Sequence, residues 1–214
     1  SENRRLERDR DMLKDIMESS DFEVNRTIDY SEYEEQGLIL EGTGSLMLDR
    51  KNNAVFAIES ERTNKALFEK YCSEFDIPID NRIFFHAKDK DGLPIYHTNV
   101  IMSIGDGFAV ICTESIDTSE QEDVISKLKS LGLEVIEISY EQMNSFCGNI
   151  LNLKSINNES IIVMSATARW NFEDEQITRL EKYGKIVEVD IHTIESVGGG
   201  SARCMMAEIF LPKE

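Results

Sequence analysis

A pattern that recurs every fifty to fifty-five residues constrains this 214-residue chain more than any other feature it has. Each occurrence runs turn, short apolar strand, second apolar strand, amphipathic helix, third strand, which is a ββαβ unit. First strands are predicted to begin at Gly44-Ser45-Leu46-Met47-Leu48, Asn99-Val100-Ile101-Met102, Asn149-Ile150-Leu151-Asn152-Leu153 and Cys204-Met205-Met206-Ala207. Second strands are read at Asn53 to Ile58, Phe108 to Cys112 and Ile161 to Met164, unbroken apolar runs of the kind a strand buried on both faces requires.

Helices should follow each second strand. The first carries Leu67, Tyr71 and Phe75 at four-residue spacing, and the next opens on an apparent capping box, Ser119 to Glu122, before Val124, Leu128 and Leu131. A third places Ile177 and Leu180 on one stripe, and closing strands are read at Leu133 to Ile138 and Ile186 to Asp190. Such units bury their apolar faces only by packing on one another around a common axis. The segment Leu6 to Met17 reads as the helix of a further unit.

Function is constrained first by charge. With 41 acidic residues against 23 basic ones the net charge is -18, which argues against duplex nucleic acid or an anionic membrane as a partner. No apolar run approaches a membrane span and the first residues form no signal region, so a soluble, cytoplasmic protein is expected. A small zwitterionic or cationic ligand is easier to reconcile with this charge. Strand edges left open would also invite a second copy, making a homo-oligomer an expected assembly.

Cys72, Cys112, Cys147 and Cys204 are dispersed, without the close pairs that metal or dithiol sites need. Three read as small buried apolar side chains. Cys204 differs because it stands at the fourth strand entrance, after Gly198-Gly199-Gly200-Ser201-Ala202-Arg203. Glu41, His97, Asn99 and Asn149 occupy the equivalent entrances, so a pseudo-symmetric arrangement would gather them at its centre. An ionised thiol there is a nucleophile, His97 can exchange protons with a leaving amine and then with water, and Glu41 can hold the imidazole.

The residues Leu40-Glu41-Gly42-Thr43-Gly44-Ser45, Ser60-Glu61-Arg62-Thr63-Asn64, Tyr96-His97-Thr98-Asn99, Gly148-Asn149 and Gly198 to Met205 resemble, in this order and spacing, the guanidino-group-modifying superfamily. Its members share the pentein fold and include arginine deiminases, dimethylarginine dimethylaminohydrolases and amidinotransferases. The likeness is nearest to bacterial amidinotransferase-family proteins assigned as citrulline-utilisation hydrolases and runs along essentially the whole chain. It implies an α/β propeller of ββαβ repeats with about three and a half of five repeats present, in one catalytic domain over 1–214 that lacks its first one and a half repeats.

The resemblance also implies roles. Cys204 attacks the central carbon of a guanidino or ureido group, His97 is the acid and base, and Glu41 is its carboxylate partner. Arg62 and Arg4 are implied to bind the substrate's carboxylate, and Asn99 and Asn149 to face the substrate. Arginine deiminases carry an aspartate where this chain has Asn99. A neutral amide fits a neutral ureido group better than a cation, so the expected reaction is citrulline to ornithine through a covalent Cys204 intermediate, with no cofactor or metal. Two enzymatic alternatives keep the same chemistry, an amidinotransferase and an arginine deiminase. A third, of another class, is a non-catalytic pentein-fold binding module.

Overall fold

Apolar runs too short for helices, punctuated by turns, do become strands. The computed structural model describes residues 10–212 and contains nine strands in three sheets. The first sheet holds β1 (Met47–Asp49), β2 (Ala54–Ile58) and β3 (Arg82–Phe85). The second holds β4 (Met102–Gly105), β5 (Phe108–Ile111) and β6 (Glu134–Glu137). The third holds β7 (Leu151–Lys154), β8 (Ser160–Ser165) and β9 (Lys185–Val189). In each, the second strand lies in the middle, antiparallel to the first and parallel to the third. Only a helical crossover can make the parallel pair, and helices Lys65–Glu74, Gln121–Ser130 and Asp174–Leu180 supply it.

The middle strands are buried because both of their faces are covered. In β2, Phe56 and Ile58 join the large core shared by all three units, while Val55 and Ala57 pack beneath helix Lys65–Glu74 with Phe68 and Cys72. That alternation is the two-residue period of a strand read out in packing. The shared core continues through Ile101, Val110, Leu128, Ile136, Met164 and Leu180. First strands are neighbours from unit to unit, β1 beside β4 and β4 beside β7.

Several expectations need correction. The box at Ser119 and Glu122 does not form, since the helix starts at Gln121 with no side-chain cap. Asp117 Oδ1 accepts both the N–H and the hydroxyl of Ser119, which holds Ser119 in a turn ahead of the helix, two residues before its first residue. Capping boxes do close at Ser139 with Gln142 and at Glu173 with Gln176. Phe75 lies past the end of its helix and is exposed, leaving Leu67, Phe68 and Cys72 to form the buried face.

Three of the four strand entrances are helical turns rather than strand, and at Asn149 an irregular turn leads into β7. Gly42–Ser45 precedes β1, Thr98–Ile101 precedes β4, and a 3-10 turn over Ala202–Met205 holds Cys204. The fourth first strand, expected from Cys204 to Ala207, is absent among the described residues, because nothing there offers it a ladder partner. Helix Arg10–Ser19 overlaps the predicted Leu6 to Met17 helix, whose first residues, with Arg4, lie outside the described part. No helix among the described residues is long and apolar enough to cross a membrane.

Candidate active site

The entrance turns are latched to one another by hydroxyls. Thr98 Oγ1 donates to the Ser45 carbonyl at 2.6 Å and accepts the Ile58 N–H at 3.0 Å, while Thr63 Oγ1 donates to Ser45 Oγ at 2.7 Å. Thr98, Ser45 and Thr63 are fully buried, so these bonds act in a low dielectric and fix the first two turns as a unit. Glu41 and His97 begin those turns.

That is why a carboxylate and an imidazole from positions 56 residues apart meet, with His97 Nε2 to Glu41 Oε2 at 2.7 Å. The carboxylate oxygen can only accept, so Nε2 carries the proton. The His97 ring also lies against Tyr96, with centroids 4.9 Å apart. Beneath it sits Gly44, where a Cβ would come within 2.9 Å of the ring at Cε1 and Nδ1. With the acid–base role the resemblance implies for His97, Gly44→Ala is expected to displace the imidazole and lower kcat by roughly 10²-fold, as misplacement of a reacting group by about 1 Å does, with unchanged substrate affinity. Steady-state kinetics check this, and wild-type kcat would show that the ring has room to move.

Arg62 follows the loop after β2. Its Nη1 is 3.5 Å from Glu41 Oε2 and its guanidinium lies 4.9 Å over the Tyr96 ring. Both partners are partly exposed, which makes the ion pair weak and exchangeable.

Cys204 is the exposed cysteine of the four. Burial pushes the Cys72 thiol up to about 12, that of Cys112 to about 11 and that of Cys147 to about 12, so these remain protonated and inert. The sulfur of Cys204 faces two amides. Asn149 Nδ2 is 3.2 Å from it and Asn99 Nδ2 is 3.7 Å from it. Asn149 Nδ2 also donates to the Asn99 carbonyl at 3.1 Å, and because that carbonyl can only accept, the amide is locked with its second N–H toward the sulfur. Asn149 thus lies 4% exposed with its donors on Cys204 and Asn99.

Asn99 is 5% exposed, yet its Oδ1 has no hydrogen-bond partner among the described residues. A buried acceptor left unmade costs about 1–3 kcal/mol, so this oxygen is ready for an N–H from a ligand. The structure therefore joins Glu41 to His97, Arg62 to Glu41, and Asn99 and Asn149 to Cys204. His97 and Asn99 lie two residues apart on one turn and link the two groups.

One cavity lies elsewhere. At about 600 Å³ it lies by the far ends of β1, β4 and β7, is lined by Lys51, Asp106, Lys154 and Arg203, and includes neither Cys204 nor His97. The Cys204 sulfur, the amides of Asn99 and Asn149 and the unpartnered Asn99 Oδ1 gather apart from it, with His97 on the same turn as Asn99. Among the described residues no cluster of three His, Cys, Asp or Glu side chains could hold a metal ion. Sequence reading missed Gly44 and the hydroxyl latch. The Ser and Thr positions of the Gly-Thr-Gly-Ser and Arg-Thr-Asn runs were their only signal.

The same fold occurs in solved structures. Apo ArgZ, an arginine dihydrolase from the ornithine-ammonia cycle in cyanobacteria, matches with a TM-score of 0.63 and 17% identity, over 94% of this chain and 29% of that one. The N-terminal domain of ArgZ bound to product gives 0.64 at 18% identity, over 94% of this chain and 66% of that one. The ternary complex of AgrE with ornithine and NAD+ gives 0.67 at 18% identity, over 94% and 26%. At these identities the likeness is one of fold, and the chain spans less than a third of full-length ArgZ. No curated protein matches the chain. Residues 1–211 match the family described as N,N dimethylarginine dimethylhydrolase, eukaryotic, and with its repeated ββαβ units the chain belongs to that family, within the guanidino-modifying pentein superfamily.

Proposed function

We propose that this protein hydrolyses a C–N bond at the central carbon of a ureido or guanidino amino acid, with citrulline cleaved to ornithine. The observation that carries this reading is the Cys204 sulfur beside the buried, unpartnered Asn99 Oδ1. That oxygen accepts a ureido N–H while the thiolate, hydrogen-bonded by Asn149, attacks the carbon. The ureido C=O electron pair moves to oxygen and the C–S bond forms. As the carbonyl re-forms, the bond to the side-chain nitrogen breaks, and His97, held through Nε2 by Glu41, donates the proton that nitrogen needs to leave as ornithine.

Water then attacks the S-carbamoyl cysteine and gives its proton to His97. The C–S bond breaks, the thiolate returns, and carbamate departs to decompose to carbon dioxide and ammonia. Arg62 exchanges its weak contact with Glu41 for the substrate's α-carboxylate, which its planar fork suits. Arg4 is proposed as a second carboxylate contact. In the same reading the three units are blades of an α/β propeller with β1, β4 and β7 innermost.

A second reading is favoured by the family match, in which a methylated arginine loses its alkylamine. The neutral Asn99 favours the ureido substrate. The test is to incubate the protein with citrulline, arginine and dimethylarginine and quantify ornithine, ammonia and dimethylamine. Ornithine from citrulline supports the first reading; dimethylamine without ornithine overturns it. Asn99→Asp is expected to shift kcat/KM toward the cationic guanidino substrates by at least about tenfold.

A further inference from the structure

Helix His192–Gly198 has its polarity reversed. Ile194 and Val197 face solvent at 46% and 85% exposure, while Glu195 is 5% exposed. A carboxylate in that position is costly unless its oxygens are hydrogen-bonded. Glu195 Oε1 accepts the Ser201 hydroxyl at 2.6 Å and Oε2 accepts the Thr167 hydroxyl at 2.6 Å. Burial alone would push the carboxyl up, but the hydroxyls of Ser201, Thr167 and Ser165 outweigh it and hold the group below the usual glutamate range. It is a buried, ionised clamp.

What it clamps is the segment carrying Cys204. Thr167 and Ser165 belong to the third unit, at the end of β8, whereas Ser201 belongs to the glycine-rich loop. The Ser201 carbonyl accepts the Cys204 N–H at 3.0 Å, so Ser201 fixes the turn on which the sulfur rides. The loop before it cannot hold itself. Gly199 has a φ of +69° and Gly200 approaches the Cys204 side chain so closely that a Cβ there would lie 3.2 Å from that of Cys204. Three glycines bring no side chain to anchor the loop, and their backbone freedom makes an external anchor necessary.

We infer that Glu195 is a positioning residue for the nucleophile, tying the Cys204 turn to the third unit so that the sulfur stays on the amide of Asn149. The chain of contact is Glu195 to Ser201, Ser201 to Cys204, Cys204 to Asn149. Its catalytic consequence rests on Cys204 being the nucleophile of the proposed reaction, whereas its effect on the thiol does not.

The thiol can be read directly. Cys72, Cys112 and Cys147 are buried, so alkylation of the folded protein by iodoacetamide reports Cys204. In Glu195→Ala the sulfur loses its register against Asn149 and the thiolate loses a donor. The rate of alkylation at a fixed pH is expected to fall roughly tenfold. Glu195→Gln, which can accept one hydroxyl but must donate to the other, should fall between. Ser201→Ala removes the link while leaving Thr167 on the carboxylate, and carries the same expectation where Glu195→Ala is too unstable to measure.

With substrate, kcat should fall while KM stays within about twofold, since no substrate contact is removed. An unchanged alkylation rate in folded variants whose thermal midpoints have dropped would overturn the inference and leave Glu195 a purely structural group. A slowed alkylation in a protein that leaves citrulline intact would count against the substrate, not against Glu195.

Discussion

Cys204→Ala is expected, on the proposed reaction, to abolish citrulline turnover, lowering kcat by at least about 10⁴-fold, the scale on which removal of an attacking group acts. Thermal stability should hardly change, because Cys204 is exposed and its truncation opens no cavity. Cys204→Ser should be equally inactive, since a hydroxyl stays protonated where a thiol can ionise. Neither Asn149 nor Asn99 can supply a nucleophile in its place. An ornithine assay alongside a thermal melt checks both parts. Turnover above one part in about a hundred would show that the C–N bond is broken without covalent attack by sulfur, and a large fall in stability would show that the thiol is structural.

Gly148→Ala should do the most damage to the fold. An added Cβ would lie 2.5 Å from the Val100 carbonyl oxygen, 3.1 Å from the Ile101 carbonyl carbon and 3.3 Å from the Met102 nitrogen. All three are backbone atoms, so no side chain can rotate away and the two turns must separate. Overpacking of this kind costs about 3 kcal/mol. Asn149 is the next residue, and the bond from its Nδ2 to the Asn99 carbonyl spans the same contact. The variant should therefore lose stability and roughly 10²-fold in kcat/KM together. Urea unfolding and kinetics measure the two effects, and a wild-type midpoint would mean that the close approach of these turns is dispensable.

The contrast between these residues explains how much of the site was legible. Cys204, His97, Glu41, Asn99 and Asn149 were found because they recur at equivalent points of a repeat, and the structure does bring Glu41 to His97 and both asparagines to Cys204. Their equivalence did not say which would pair. Arg62, expected to face a substrate carboxylate, leans on Glu41 across the Tyr96 ring, a placement set by the loop that carries it. The close approaches of Gly44, read as the start of a first strand, and of Gly148 were not legible, since a glycine's neighbours in space are invisible along the chain.

The buried second strands and the closing strands of two units came from the sequence itself, whereas β3 was not located and the strand expected at Cys204 is a turn. A middle strand such as Phe108 to Ile111 is apolar at every position, and no arrangement other than cover on both faces keeps it from water. Such patterns depend on the average surroundings of an element, which neighbours along the chain already encode. Tertiary structure alone decided the particular polar partnerships. Helix His192–Gly198 shows the difference best, because a pattern argument would bury Ile194 and Val197 and leave Glu195 in water. The reverse holds because Ser201, Thr167 and Ser165 gather around Glu195 from two segments of the chain. A hydrogen bond needs its donor within about 3 Å of its acceptor, and that proximity exists only once the chain has folded.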